Sequence, residues 1–206
     1  MFRQIRPPFL ARKYFPGLVW RVNTSEKDLY LTFDDGPTPE VTESVLDTLK
    51  KHNAKATFFC LGKNIKKHPA IYQRILSEGH AVGNHTTHHL NGWATHPEKY
   101  LQDIAASEEW VKTKLFRPPY GRITKEQIKR VSLKFKIVMW DVLSWDFDQS
   151  VSASKVTRNV CTQSRPGSII VFHDSVKARK NMENALPAVL RFFTSKGYSF
   201  RSLQNL

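Results

Sequence analysis

Two adjacent carboxylates, Asp34 and Asp35, stand where an alternating apolar run, Leu29, Leu31 and Phe33, breaks into Gly36 and Pro37. Neighbouring acids repel each other and lose hydration at the end of a buried strand, so a cation or a proton is needed to relieve them. A second stretch, His85-Thr86-Thr87-His88-His89, gathers three of the chain's eight histidines into five residues. His85 and His89 are four apart, so one helical turn would bring both imidazoles to the same side, with His88 at a spacing of three as the alternative. Taken singly, the acids read as a strand end that caps a helix, and each histidine as an ordinary polar residue. Taken together they describe a site for a divalent cation.

Two neutral imidazoles and one carboxylate suit zinc, and cobalt or nickel would accept the same donors. Such an ion lowers the pKa of bound water from about 15.7 to about 7, which divides the labour of the acidic pair: Asp35 on the metal, Asp34 as base. Arg117, ahead of Pro118-Pro119-Tyr120-Gly121, is suited to a bidentate pair with a carboxylate. His173 ends the apolar run Ile169-Ile170-Val171-Phe172, either as a buried structural residue or as a proton donor whose pKa an acidic neighbour would raise. Asp141 and Asp146 are the candidates for that neighbour.

These residues must be positioned by the elements between them. Apolar spacing predicts strands over 29–34, 56–61, 81–84, 116–118, 136–140, 168–172 and 198–200, with a first short strand at 18–22 opening the chain as a hairpin edge. Helices are expected between them: one capped by Thr38 with Val41, Val45 and Leu49 inward, then 69–77, 97–115, 124–132, 153–161 and 184–195. Alternating strands and helices predict an α/β fold with a parallel sheet, a distorted (β/α)7-type barrel, the open doubly wound sheet being the alternative. Asp34, Asp35, the His85 loop, Arg117 to Tyr120, Asp146 and His173 all fall at or just after strand C-terminal ends, which share one face in such a barrel. No repeat or linker divides the chain, so residues 1–206 are expected as a single domain, with a core over about 29–206 and a short N-terminal extension at 1–28.

With 206 residues, 40% hydrophobic, the chain has the composition of an ordinary globular protein. Its 32 Lys+Arg against 18 Asp+Glu give a formal charge of +14, which favours contact with anionic surfaces. No zinc-knuckle spacing, heptad run or ribonucleoprotein pattern accompanies that charge, so a dedicated nucleic-acid module is not expected. Two cysteines, Cys60 and Cys161, make no disulfide framework. Pro7, Pro8, Arg12 and Lys13 interrupt the N-terminal apolar residues, so no signal peptide is recognised and a cytoplasmic location is expected.

Five stretches in order, Thr32 to Pro37, His85 to His89, Arg117 to Tyr120, Trp140 to Phe147 and Val171 to His173, resemble the motifs of polysaccharide deacetylases, the NodB-homology group of carbohydrate esterase family 4. The resemblance implies a metal-dependent hydrolase that removes acetyl from the nitrogen of an amino sugar in a glycan. It implies Asp34 as general base, Asp35, His85 and His89 as metal ligands, and Arg117 as the group that orients Asp34. It further implies Pro119 and Tyr120 beside the substrate, the Tyr120 N–H facing the oxyanion, and His173, tuned by Asp146, as proton donor to the leaving amine. Two positions depart from the family pattern: Phe147 stands where Trp is common and Val171 where Leu is common, both in the apolar cup for the acetyl methyl. The alternatives are deformylation or amide hydrolysis on a non-glycan or lipid-linked substrate, and a catalytically weak glycan-binding relative.

Overall fold

The computed structural model describes residues 3–206. A short helix α1 (Phe9–Tyr14) precedes strand β1 (Asp28–Asp34). There follow α2 (Val41–Lys51), β2 (Ala56–Cys60), α3 (Gly62–Lys67), α4 (Pro69–Ser77), β3 (Ala81–Asn84), α5 (Pro97–Ser107), β4 (Leu115–Phe116) and α6 (Lys125–Val131). The chain ends with β5 (Lys136–Ile137), β6 (Val142–Leu143), α7 (Ala153–Gln163), β7 (Ile169–His173), α8 (Arg179–Thr194) and β8 (Ser199–Phe200). Seven strands pair in the order β5-β4-β3-β2-β1-β7-β6, all parallel, and β8 pairs with the start of β1. The sheet curls into a half-barrel with helices around it, the expected distorted barrel.

Side-chain parity explains which residues reach the inside of the curl. Leu29, Leu31, Phe33, Phe58, Ile170 and Phe172 face outward into the main core, against Val45, Leu46 and Leu49 of α2 and Met182, Leu186, Val189 and Leu190 of α8. The alternate residues, Tyr30, Phe59 and Ile169, cluster on the other face, and by the same parity Thr32, Asp34, Val171 and His173 share it. Register then aligns the ends, since Asp34 is opposite both Phe59 and His173, and Asn84 is opposite Phe116. His85 and Arg117, one residue past Asn84 and Phe116, therefore emerge at the same rim as Asp34.

Several elements differ from the sequence reading. Residues 18–22 make no hairpin with β1; Val19 bridges Val138 and Arg21 bridges Ser168, so this segment closes the seam at an otherwise open sheet edge. Ile5 packs against the main core and Leu18 belongs to a second buried cluster. Helix α5 stops at Ser107, because the chain turns back and Thr113 Oγ1 donates to Val82 O at 2.7 Å, freeing Leu115 for β4. Glu40, at φ 62°, rather than Thr38, begins α2, and its N–H meets Glu43 Oε2 at 2.8 Å. Helix α8 starts at Arg179 and runs through Pro187, its buried face from Met182 to Phe193 outweighing the lost hydrogen bond. α3, rich in lysine, and β6, two residues long, carry too little apolar periodicity to be anticipated.

Candidate active site

The metal-type donors converge. His89 Nε2 lies 3.1 Å and His85 Nε2 3.7 Å from Asp35 Oδ1, and one donor atom from each of the three residues lies within 4.8 Å of the others. Donors around a zinc at ~2.0–2.1 Å stand about 3.3 Å apart, so the set fits a divalent ion. Asp35 Oδ1 is buried with no hydrogen-bond partner, His89 being close but poorly aligned, and a cation would satisfy that oxygen. His85 Nδ1 is 2.8 Å from the carbonyl of Arg117, which can only accept, so the proton sits on Nδ1 and the Nε2 lone pair faces Asp35. Burial lowers the His85 pKa to about 4 and keeps the ring neutral, as a ligand must be. Burial opposes the Asp35 carboxylate, but the nearby His89 and His173 outweigh it and hold its pKa well below the usual range.

The two histidines meet without the helical turn expected for them. Thr86 and His89 adopt left-handed backbone at φ 68° and 63°, folding the loop into a tight coil. Asp103 of α5 accepts from Thr87 N and His88 N, both at 3.0 Å, and from the His88 ring at 2.5 Å. His88 is thereby turned away, 61% exposed, and it is His89 that reaches Asp35. Asn84 Oδ1 accepts from Thr86 N at 2.8 Å, and Asn64 of α3 donates to the Asp35 carbonyl at 2.7 Å. Among the described residues, five of the seven non-glycine positions with positive φ lie at this rim: Asp35, Thr86, His89, Tyr120 and Trp145. Such concentration of backbone strain marks functional loops.

Arg117 is fully buried and meets Asp34 Oδ1 at 2.7 Å through one nitrogen, not the bidentate pair expected. Three further N–H groups donate to Thr32 Oγ1 and to the carbonyls of Val138 and Met139. An acceptor on every nitrogen is what allows a guanidinium inside a barrel. The Phe59 ring lies 4.1 Å from its Cζ, and a Cβ on Gly83 would come within 2.3 Å of that same ring.

On the opposite side His173 Nδ1 donates to Asp146 Oδ1 at 2.8 Å, and His173 N donates to Asp146 Oδ2 at 2.7 Å. Burial works against the imidazolium, but the Asp146 charge and hydrogen bond overcome it and raise the His173 pKa to about 9. Asp141, the other candidate partner, instead accepts from Arg6, Arg12 and Ser168 at 2.8, 2.5 and 2.7 Å. The N-terminal segment also grips the neighbouring loop: Leu143 N donates to Ile5 O at 2.8 Å, Trp145 Nε1 to Gln4 O at 3.0 Å, and Arg3 Nε to Asp148 Oδ2 at 2.8 Å.

A cleft of about 650 Å³ opens over these groups. Its lining includes Asp34, Asp35, His85, His89, Tyr120, Phe147, Val171 and His173, all anticipated from sequence. Pro119 is buried and does not line it, whereas Pro118 does. Leu143, Trp140, Trp145, Arg122 and Lys177 also line the cleft. Trp140, Leu143 and Trp145 lie within the fourth motif; Arg122 and Lys177 carry no signal in the sequence.

The curled parallel sheet gathers these polar groups at its C-terminal rim, the face on which the active sites of such barrels assemble. The polysaccharide deacetylase family profile matches residues 21–136. A peptidoglycan-N-acetylglucosamine deacetylase of Bacillus cereus is 39% identical over 190 residues, covering 88% of this chain and 69% of that protein. The crystal structure of the Bc1960 peptidoglycan N-acetylglucosamine deacetylase is similar at a TM-score of 0.88 and 36% identity, covering 96% of this chain and 95% of that one. Bacillus anthracis BA3943, a CE4 family pseudoenzyme, is similar at a TM-score of 0.78 and 25% identity, over 91% of this chain and 67% of that one. The chain belongs to the polysaccharide deacetylase family, hydrolases of carbon–nitrogen bonds other than peptide bonds. Since a pseudoenzyme shares the fold, it is the side chains at the rim, not the fold, that decide the reaction.

Proposed function

We propose that this chain removes acetyl groups from the nitrogen of N-acetylated amino sugars in a glycan, with peptidoglycan as the polymer. The observation that carries the reading is the arrival in one cleft of Asp35, His85 and His89 beside two hydrogen-bonded pairs, Asp34 with Arg117 and His173 with Asp146.

Asp35, His85 and His89 would hold the divalent ion, zinc by donor type, with cobalt or nickel fitting the same set. Once bound, it supplies Lewis acidity toward the acyl oxygen and the water. Asp34, oriented by Arg117, takes a proton from the attacking water as its oxygen adds to the acetyl carbon. The N–H of Tyr120, a residue held at φ 60°, serves the oxyanion that develops there. His173 enters the reaction protonated and passes its proton to the sugar nitrogen as the C–N bond breaks, so acetate and a free amine leave. Leu143, Trp145 and Val171 supply apolar wall for the acetyl methyl. A wall polymer as substrate favours an extracytoplasmic chain over the cytoplasmic placement suggested by the N-terminal residues.

The test is acetate release from N-acetylated glycan fragments by zinc-loaded protein. Asp34→Ala should lower the rate by about 10² to 10⁴, and chelation should abolish turnover until zinc is restored. Loaded protein that releases acetate from no N- or O-acetyl sugar overturns the reading.

A further inference from the structure

Two large aromatic side chains stand in water beside the cleft, Trp93 at 66% exposure and Tyr120 at 61%. Neither is loose. Trp93 sits in a 3-10 turn, Gly92–Ala94, where Asn91 Oδ1 accepts from Trp93 N at 3.0 Å and the indole Nε1 donates to Ile123 O at 3.2 Å. Gln127 of α6 donates to Gly92 O at 2.9 Å, and a Cβ at residue 92 would lie 2.4 Å from Arg122 O, so the turn is seated directly on the Arg122 backbone. Tyr120 is braced edge-on against His89, ring centroids 4.5 Å apart.

Between the rings lies the Arg122 guanidinium, 5.2 Å from the indole centroid and 6.0 Å from the phenol. Arg122 itself is exposed, and among the described residues no carboxylate oxygen comes within 4.0 Å of its nitrogens. An exposed Trp held by three separate contacts is ordered before any ligand arrives, which removes much of the entropic cost of binding. Flat aromatic faces suit the apolar face of a sugar ring, and a guanidinium fork suits a carboxylate. Because Tyr120 and Arg122 also line the acetamide cleft, the surface is continuous with it.

We propose that Trp93, Arg122 and Tyr120 form a second sugar subsite that selects a glycan unit carrying a carboxylate next to the unit being deacetylated. The proposal rests on the glycan reading above and narrows it to acidic glycans. Equilibrium binding tests it, using the zinc-loaded chain in an Asp34→Ala background so that ligand persists. The two probes are a peptidoglycan strand fragment bearing its sugar carboxylates and a neutral chito-oligosaccharide of equal length.

Arg122→Ala should weaken the acidic fragment about tenfold and the neutral one by less than about twofold, with Arg122→Lys between wild type and Ala for the acidic fragment. Trp93→Ala should weaken both ligands by a similar factor of about ten, with no loss of the folded state on melting, since the ring is mostly exposed. Equal effects of Arg122→Ala on both ligands, or equal wild-type affinity for them, would overturn the subsite. Selective binding without acetate release from Asp34-intact protein would sink the deacetylase reading and leave the subsite standing; acetate release without selectivity would do the reverse.

Discussion

The two walls of the cleft are built differently. The wall after β1, β3 and β4 carries Asp35, His85, His89 and Arg117, and its loops are tied to elements next to them: Asn84 at the end of β3, Asn64 on α3, Asp103 on α5. The wall after β6 and β7 carries Leu143, Trp145, Asp146, Phe147 and His173, and it hangs partly on residues 3–6, which reach across 141 positions of sequence in the Trp145–Gln4 contact. The first wall is made by local geometry around buried strands. The second depends on a segment whose backbone carbonyls and arginines serve as an external brace. On the proposed reading, metal binding and proton delivery can therefore be disturbed separately.

Breaking the second wall at its centre should produce the largest separation. His173→Ala is expected to cut kcat by about 10² to 10⁴ while zinc affinity, read by titration, stays near wild type. A parallel loss of zinc would mean that the walls are not independent. The pH profile sharpens the same point: with its pKa raised to about 9, His173 is protonated below that value and loses its proton as pH rises through it, so kcat/KM should fall on that alkaline limb. Removing the carboxylate in Asp146→Asn should move the limb to lower pH, and a limb that stays in place would remove Asp146 from the assignment.

Disturbing the first wall from behind should have an intermediate effect. Asp103→Ala leaves Thr87 N and His88 N without their acceptor, so zinc affinity should drop about 10- to 100-fold, with kcat recovering at saturating zinc. The smallest effect belongs to the brace. Arg3 is an exposed ion-pair partner of Asp148, a kind of contact that contributes little, so Arg3→Ala should change KM a few-fold through the Trp145 loop and leave zinc binding untouched. If Arg3→Ala instead lowers zinc affinity, the brace acts on the whole rim.

This division also explains what the sequence could tell. Asp34, Asp35 and His173 were legible because strand parity and C-terminal ends fix where they point, and the His85–His89 pair because two imidazoles so close together have few other uses. The manner of their meeting was not legible, since left-handed residues at Thr86 and His89 leave no trace in periodicity. Arg117 was recognisable as a partner for a carboxylate, but its single bond to Asp34 follows from backbone carbonyls that compete for the fork. That Pro118 and not Pro119 lines the cleft leaves no trace in the pattern either. The contribution of residues 3–21 was hidden because it consists of isolated bridges and side-chain contacts, not of an element with a pattern of its own.

The packing of Phe59 between an arginine and a glycine extends this logic into the sheet. At position 83 the missing side chain is the space in which the ring rests, and the ring in turn sets how far the guanidinium can sink. The setting of Asp34 is thus inherited from the absence of a side chain in a neighbouring strand, and a methyl group added at residue 83 would push on the ring, the guanidinium and Asp34 in turn.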